Sequence, residues 1–113
     1  MRSLLVPLLL LTWVTGPALA QSPGAIVAVG GGGTTDAIVQ RTLDLAGGRE
    51  AVVVVLPQSS ALENAGDSSV RMWQAAGARS VRKLAFADPL AREALSSATL
   101  IWIPGGDQNR FMK

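Results

Sequence analysis

The chain has 113 residues, with ten Lys+Arg against eight Asp+Glu, a formal net charge of +2, no cysteine and no histidine. Disulfide staples and thiolate metal sites are therefore excluded, and the fold must hold by core burial alone. Histidine, the usual general base of serine hydrolases and the commonest metal ligand, is missing as well.

Residues 1–20 read as a secretory signal peptide: Arg2, then an apolar run over residues 4–14, then Gly16-Pro17 and the small-x-small pattern Ala18-Leu19-Ala20. The apolar run is about half of the roughly 20 residues needed to cross a bilayer, so a stable membrane anchor is not expected. The mature chain, residues 21–113, is expected outside the cytoplasm, secreted or periplasmic. It carries nearly balanced charge, since Arg2 leaves with the signal. Its cations stand singly or in one Arg82-Lys83 pair, which offers no concentrated patch to a phosphate backbone, and nucleic acid is not expected as a partner.

Residues 25–29 form a short apolar, β-rich run that ends in four glycines, Gly30 to Gly33. Thr34-Thr35-Asp36 then supply capping residues, and Ile38, Val39, Thr42, Leu43, Leu45 and Ala46 recur at helical spacing, which predicts strand, glycine turn, helix. Gly47-Gly48 closes that helix as a left-handed cap would. Residues 51–56 follow as a strand apolar on both faces, the pattern of a central parallel strand flanked by helices. Ser60 and Glu63 suggest a capping box, with Leu62, Ala65, Ser69, Met72, Trp73 and Ala76 on one side of a helix that Gly77 ends. A third strand is expected over residues 81–86. Asp88-Pro89 is a helix start, with Leu90, Ala94, Leu95 and Ala98 as the apolar stripe. Residues 99–103 make a fourth strand closed by Pro104, and a further helix is expected to begin near Asp107.

This alternation predicts an α/β fold, a mainly parallel sheet with flanking helices and right-handed crossovers. The last helix has only about two turns before Lys113, so the chain is expected to be the N-terminal half of a larger α/β domain. Ligands of such sheets bind outside the carboxyl ends of the strands, where three loops converge: residues 30–35, 57–60 and 104–108. The glycine run does not fit a dinucleotide fingerprint, because the third glycine position falls on Thr35 or Asp36 and no acidic residue closes the second strand. It also lacks the lysine of a P-loop. Gly105-Gly106-Asp107 is more informative. Two glycines between a buried strand and a helix start expose N–H donors for a developing oxyanion, while Asp107 would cap the helix; taken alone, the loop reads first as a capped turn and only second as an oxyanion site.

Three segments together, Val27-Ala28-Val29-Gly30-Gly31-Gly32, Leu56-Pro57-Gln58-Ser59-Ser60 and Ile103-Pro104-Gly105-Gly106-Asp107-Gln108-Asn109-Arg110, resemble the N-terminal half of the cyanophycinase and dipeptidase E family of serine peptidases. The resemblance implies a flavodoxin-like fold of the class I glutamine amidotransferase type and no cofactor or metal. It implies an oxyanion hole at Gly106 and Asp107, and substrate contacts at Gln108, Gly31 and Gly32. The substrate it implies is a peptide or polymer containing β-aspartyl-arginine units, such as cyanophycin, or another acidic peptide. The chain departs from the family in having no G-x-S-x-G-like elbow after residue 108 and no histidine, so nucleophile and base are absent and these residues alone are expected to be inactive. Ser59, Ser60, Ser68 and Ser69 are no substitutes: the first pair is expected at a helix start and the second within a helix. The alternatives are a non-catalytic α/β ligand-binding module and a nucleotide-binding half domain.

Overall fold

The computed structural model describes residues 23–62, 64–85 and 87–113; the expected signal peptide and Glu63 of the expected capping box lie outside them. The elements run α1 (Asp36–Leu45), β1 (Val52–Val55), α2 (Asp67–Ala76), β2 (Ser80–Lys83), α3 (Ala91–Ser97), β3 (Leu100–Trp102) and α4 (Gln108–Phe111), with one 3-10 turn at Gly48–Glu50. The chain is thus a small α/β domain with a three-stranded parallel sheet in the order β2-β1-β3.

The central position of β1 follows from its composition. Val53, Val54 and Val55 are all buried, and successive side chains point to opposite faces, so the strand needs cover on both. On one face α1 and α2 supply Val39, Leu43 and Trp73, which pack on Ala51, Val53 and Val55, with Val81, Leu100 and Trp102 at the flanks. On the other, Ala94 of α3 packs against Val54 and Leu84. This second layer is thin: Ile101 and Ile103 remain about half exposed.

The caps explain where the helices start and stop. Thr35 holds the start of α1 by accepting the Ile38 N–H, and Gly47 leaves it with a φ of 105°. The expected helix start at Ser60 is not observed, because Ser60 Oγ accepts the N–H of Leu62 two residues on, a turn rather than a cap. α2 instead begins after Gly66, and Leu62 and Ala65 lie outside it. Asp88 likewise spends its carboxylate locally, on the Leu90 N–H at 2.8 Å and on Arg82, so α3 starts at Ala91 rather than at Pro89. The expected third strand is shifted toward the N-terminus and ends at Lys83, with Phe86 outside the described residues.

The largest departure is the expected first strand. Residues 25–29 form no ladder with any strand, and Ile26 is 97% exposed. β3 pairs directly with β1, in the register Val53 to Leu100, Val54 to Ile101 and Val55 to Trp102, and β2 takes the other edge, so the place beside the central strand is closed to residues 25–29.

Gly66 provides a test of this account of α2. Its φ is +84°, and an added Cβ would come within 3.2 Å of Pro57 Cβ, Val55 Cγ1 and Lys83 Cδ. Gly66→Ala is expected to cost about 2 kcal/mol from the left-handed backbone and the crowding together. At this size that lowers the melting temperature by roughly 10 °C. A thermal melt followed by circular dichroism reads it, and an unchanged midpoint would show that the entry to α2 relaxes freely.

Candidate functional site

The carboxyl ends of β1 and β3 lead into the two loops that sequence reasoning singled out, and the structure locks them together. Ser59, only 4% exposed, donates its hydroxyl to the Pro104 carbonyl at 2.9 Å, and its own carbonyl accepts the Asp107 N–H at 2.9 Å. Gly106 lies so close that a Cβ there would stand 2.4 Å from Ser59 O and 2.6 Å from Ser59 C. No real Cβ tolerates such a distance to backbone, so a glycine is required at 106 for close approach. Asp107 caps α4 by accepting the Asn109 N–H at 2.9 Å.

The expected site residues divide accordingly. Gly106 and Asp107 sit in this rigid turn, and Gln108 opens α4, exposed. The Asp107 N–H is engaged by Ser59, whereas among the described residues no group accepts the Gly106 N–H. Gly31 and Gly32 are exposed in a turn of their own, added Cβ atoms there would meet nothing within 4 Å, and no hydrogen bond ties them to the loop of residues 104–108. The structure therefore brings the second and third family-like segments together and leaves the first apart.

The serines are positioned by structure rather than by chemistry: Ser68 and Ser69 lie within α2, as the sequence predicts, whereas Ser59 and Ser60 open no helix. Ser59 and Ser60 stand in the loop after β1, well before α2, and Ser69 is buried, where it accepts the Trp102 indole N–H at 3.2 Å. Among the described residues no three His, Cys, Asp or Glu side chains come close enough to hold a metal ion. No helix among those residues is long and apolar enough to cross a membrane.

A second feature escaped sequence reasoning. An open recess of about 300 Å³ lies between the ends of β1 and β2, lined by Pro57, Gln58, Ser60, Leu62, Lys83 and Leu84 among others. Gln58 lines it, donating Nε2 to the Leu84 carbonyl at 2.9 Å, while among the described residues its buried Oε1 has no partner. The Lys83 ammonium is turned to Asp67 at 2.6 Å. The available signal was a glutamine directly after the proline that closes a buried strand, a place where an amide must find partners on a neighbouring strand end.

Compared with family models, curated proteins and solved structures, the chain matches none.

Proposed function

We propose that this chain is the N-terminal half of an exported serine-type peptidase of the cyanophycinase and dipeptidase E kind, which hydrolyses β-aspartyl-arginine units or other acidic peptides without cofactor or metal. On this reading the fold is of the flavodoxin-like, class I glutamine amidotransferase type, and the nucleophilic serine and its histidine are supplied by residues beyond Lys113. The observation that carries the proposal is the seating of Gly106 on Ser59. Two segments 45 residues apart in sequence meet at the carboxyl edge of the sheet and hold a Gly-Gly-Asp turn rigid, with the Gly106 N–H uncommitted. A preorganised backbone donor of this sort is what acyl transfer needs when negative charge develops on the carbonyl oxygen.

Gly106 is then the main oxyanion donor. Asp107 keeps the turn in place through its cap and joins as a second donor only where its N–H leaves Ser59. Gln108 faces the substrate, and on the same reading residues 1–20 are an export signal and the reaction takes place in the periplasm or outside the cell, where an insoluble polymer must be met. The test is to express the uninterrupted reading frame through and beyond Lys113 and to assay release of aspartyl-arginine dipeptide from cyanophycin. Hydrolysis that disappears when the elbow serine is changed to alanine is expected. A stop codon directly after Lys113, with binding of the dipeptide but no turnover, would replace the proposal by the non-catalytic binding module.

A further inference from the structure

We propose that Gln58 is a positioning residue for the turn of residues 104–108, holding Gly106 and Asp107 in place through Ser59. Beyond Val55 the central strand no longer pairs with β2 through its backbone. Pro57 has no N–H to give, and among the described residues no backbone group of residues 57–60 bonds to the β2 side. The Gln58 side chain takes over that connection: its Nε2 donates at 2.9 Å to the carbonyl of Leu84, the residue directly after β2. The acceptor is a fixed point. Leu84 is buried, packs with Val54 and Ala94, and donates its own N–H to the Val55 carbonyl at 2.9 Å.

The next residue, Ser59, carries the two bonds that seat the turn, one to the Pro104 carbonyl and one from the Asp107 N–H. Adjacent Cα atoms are about 3.8 Å apart, which leaves no slack between the tie to β2 and the clamp on the turn. On the β3 side Leu56 also donates to the Trp102 carbonyl at 2.9 Å. Among the described residues, Gln58 is therefore what joins residues 56–59 to β2; without it, loop and turn can shift together as one body. The other half of the amide points the same way. Gln58 Oε1 is buried with no partner among the described residues, so an apolar side chain of equal length would avoid a desolvation cost, and what the glutamine contributes here is the donor. The consequence for catalysis rests on the peptidase reading. There the Gly106 N–H meets charge that develops only in the transition state, so a looser turn weakens the chemical step rather than substrate binding.

Amide hydrogen exchange on this chain tests the tie whether or not the chain belongs to a peptidase. Gln58→Met keeps the length and loses the donor, and Gln58→Glu at neutral pH keeps length and acceptor but has no proton to give. In both, protection of the Asp107 N–H is expected to fall roughly tenfold, the worth of one hydrogen bond, and by at least the factor lost in β1. Ser60→Ala lies in the same loop, but its hydroxyl accepts only the Leu62 N–H, and it is expected to leave Asp107 unchanged. Asp107 protection that survives while β1 loses some would make Gln58 a support of the sheet with no hold on the turn, and would overturn the proposal. An equal loss in Ser60→Ala would do the same. Where the variants do not fold, the unsubstituted chain decides: the Gln58 Nε2 protons are expected to share the protection of the Asp107 N–H, and exchange at the rate of free glutamine would refute the tie. In the complete enzyme, Gln58→Met is expected to lower kcat about tenfold with KM held, and an unchanged kcat would overturn the proposal. An unsubstituted enzyme without turnover refutes the peptidase reading instead, and the exchange result then decides the tie alone.

Discussion

Gly106→Ala is expected to destabilise the chain by about 2–4 kcal/mol, a large effect for one methyl group. The new Cβ would meet the Ser59 backbone at 2.4 and 2.6 Å, and backbone cannot swing aside as a long side chain would. Forced separation costs on the order of 1–3 kcal/mol as overpacking. It also stretches the Asp107 N–H bond to Ser59 O and the Ser59 hydroxyl bond to Pro104 O, each contributing about 1 kcal/mol. The four-residue α4 is exposed and gives way in part, which keeps the sum inside this range. Urea melts of the two proteins decide it: equal midpoints would mean that the loops are not clamped. In the complete enzyme of the proposed function the same change displaces an oxyanion donor, and a loss of roughly 10²–10³ in kcat is expected.

Trp73 carries the second large effect, and two substitutions there separate its packing from its polarity. The side chain is fully buried at the centre of the larger core and meets Trp102 edge to face at 5.2 Å. Trp73→Ala should cost about 3–5 kcal/mol, a sizeable share of the stability of any small domain. Trp73→Phe keeps an aromatic ring and removes a buried indole N–H that has no partner among the described residues. Relief of that orphaned donor, on the order of 1–3 kcal/mol, offsets much of the lost ring volume, so a net cost below about 1.5 kcal/mol is expected. Denaturant titration of both variants checks the ranking. If Phe were as damaging as Ala, the indole N–H would have to be satisfied in solution after all.

What could be read from the sequence follows physical lines. The run of residues 51–56 was legible as a central parallel strand because burial on both faces leaves no polar position to alternate. The helix of residues 36–45 was legible because Thr35 and Gly47 bracket an apolar stripe with unambiguous caps. Errors arose where a short polar side chain had two backbone amides to choose from. Ser60 and Asp88 each took the nearer one and made a turn, which delayed α2 by several residues and α3 by two. Strand pairing is a long-range property, so composition made residues 25–29 strand-like although they join no ladder and β3 takes the place beside β1. At the candidate site, the Gly105-Gly106-Asp107 turn and its cap stood in the sequence. The partner that makes Gly106 indispensable did not, since Ser59 lies 47 residues away and nothing local announces the contact.

The edge-to-face pair of Trp73 and Trp102 also makes the domain optically self-reporting. The chain has three tryptophans, and one of them, Trp13, belongs to the segment expected to leave on export. The two that remain are held at 73° to one another, with Trp102 tethered through its indole N–H to Ser69 of α2. Indole transitions this close and this inclined couple to give a paired circular-dichroism band of opposite signs. That band requires β3 to sit against α2 and vanishes when either moves away, while helix content can stay constant. Mature chain, unprocessed chain and a longer gene product can therefore be compared for the integrity of this one seam without any added label.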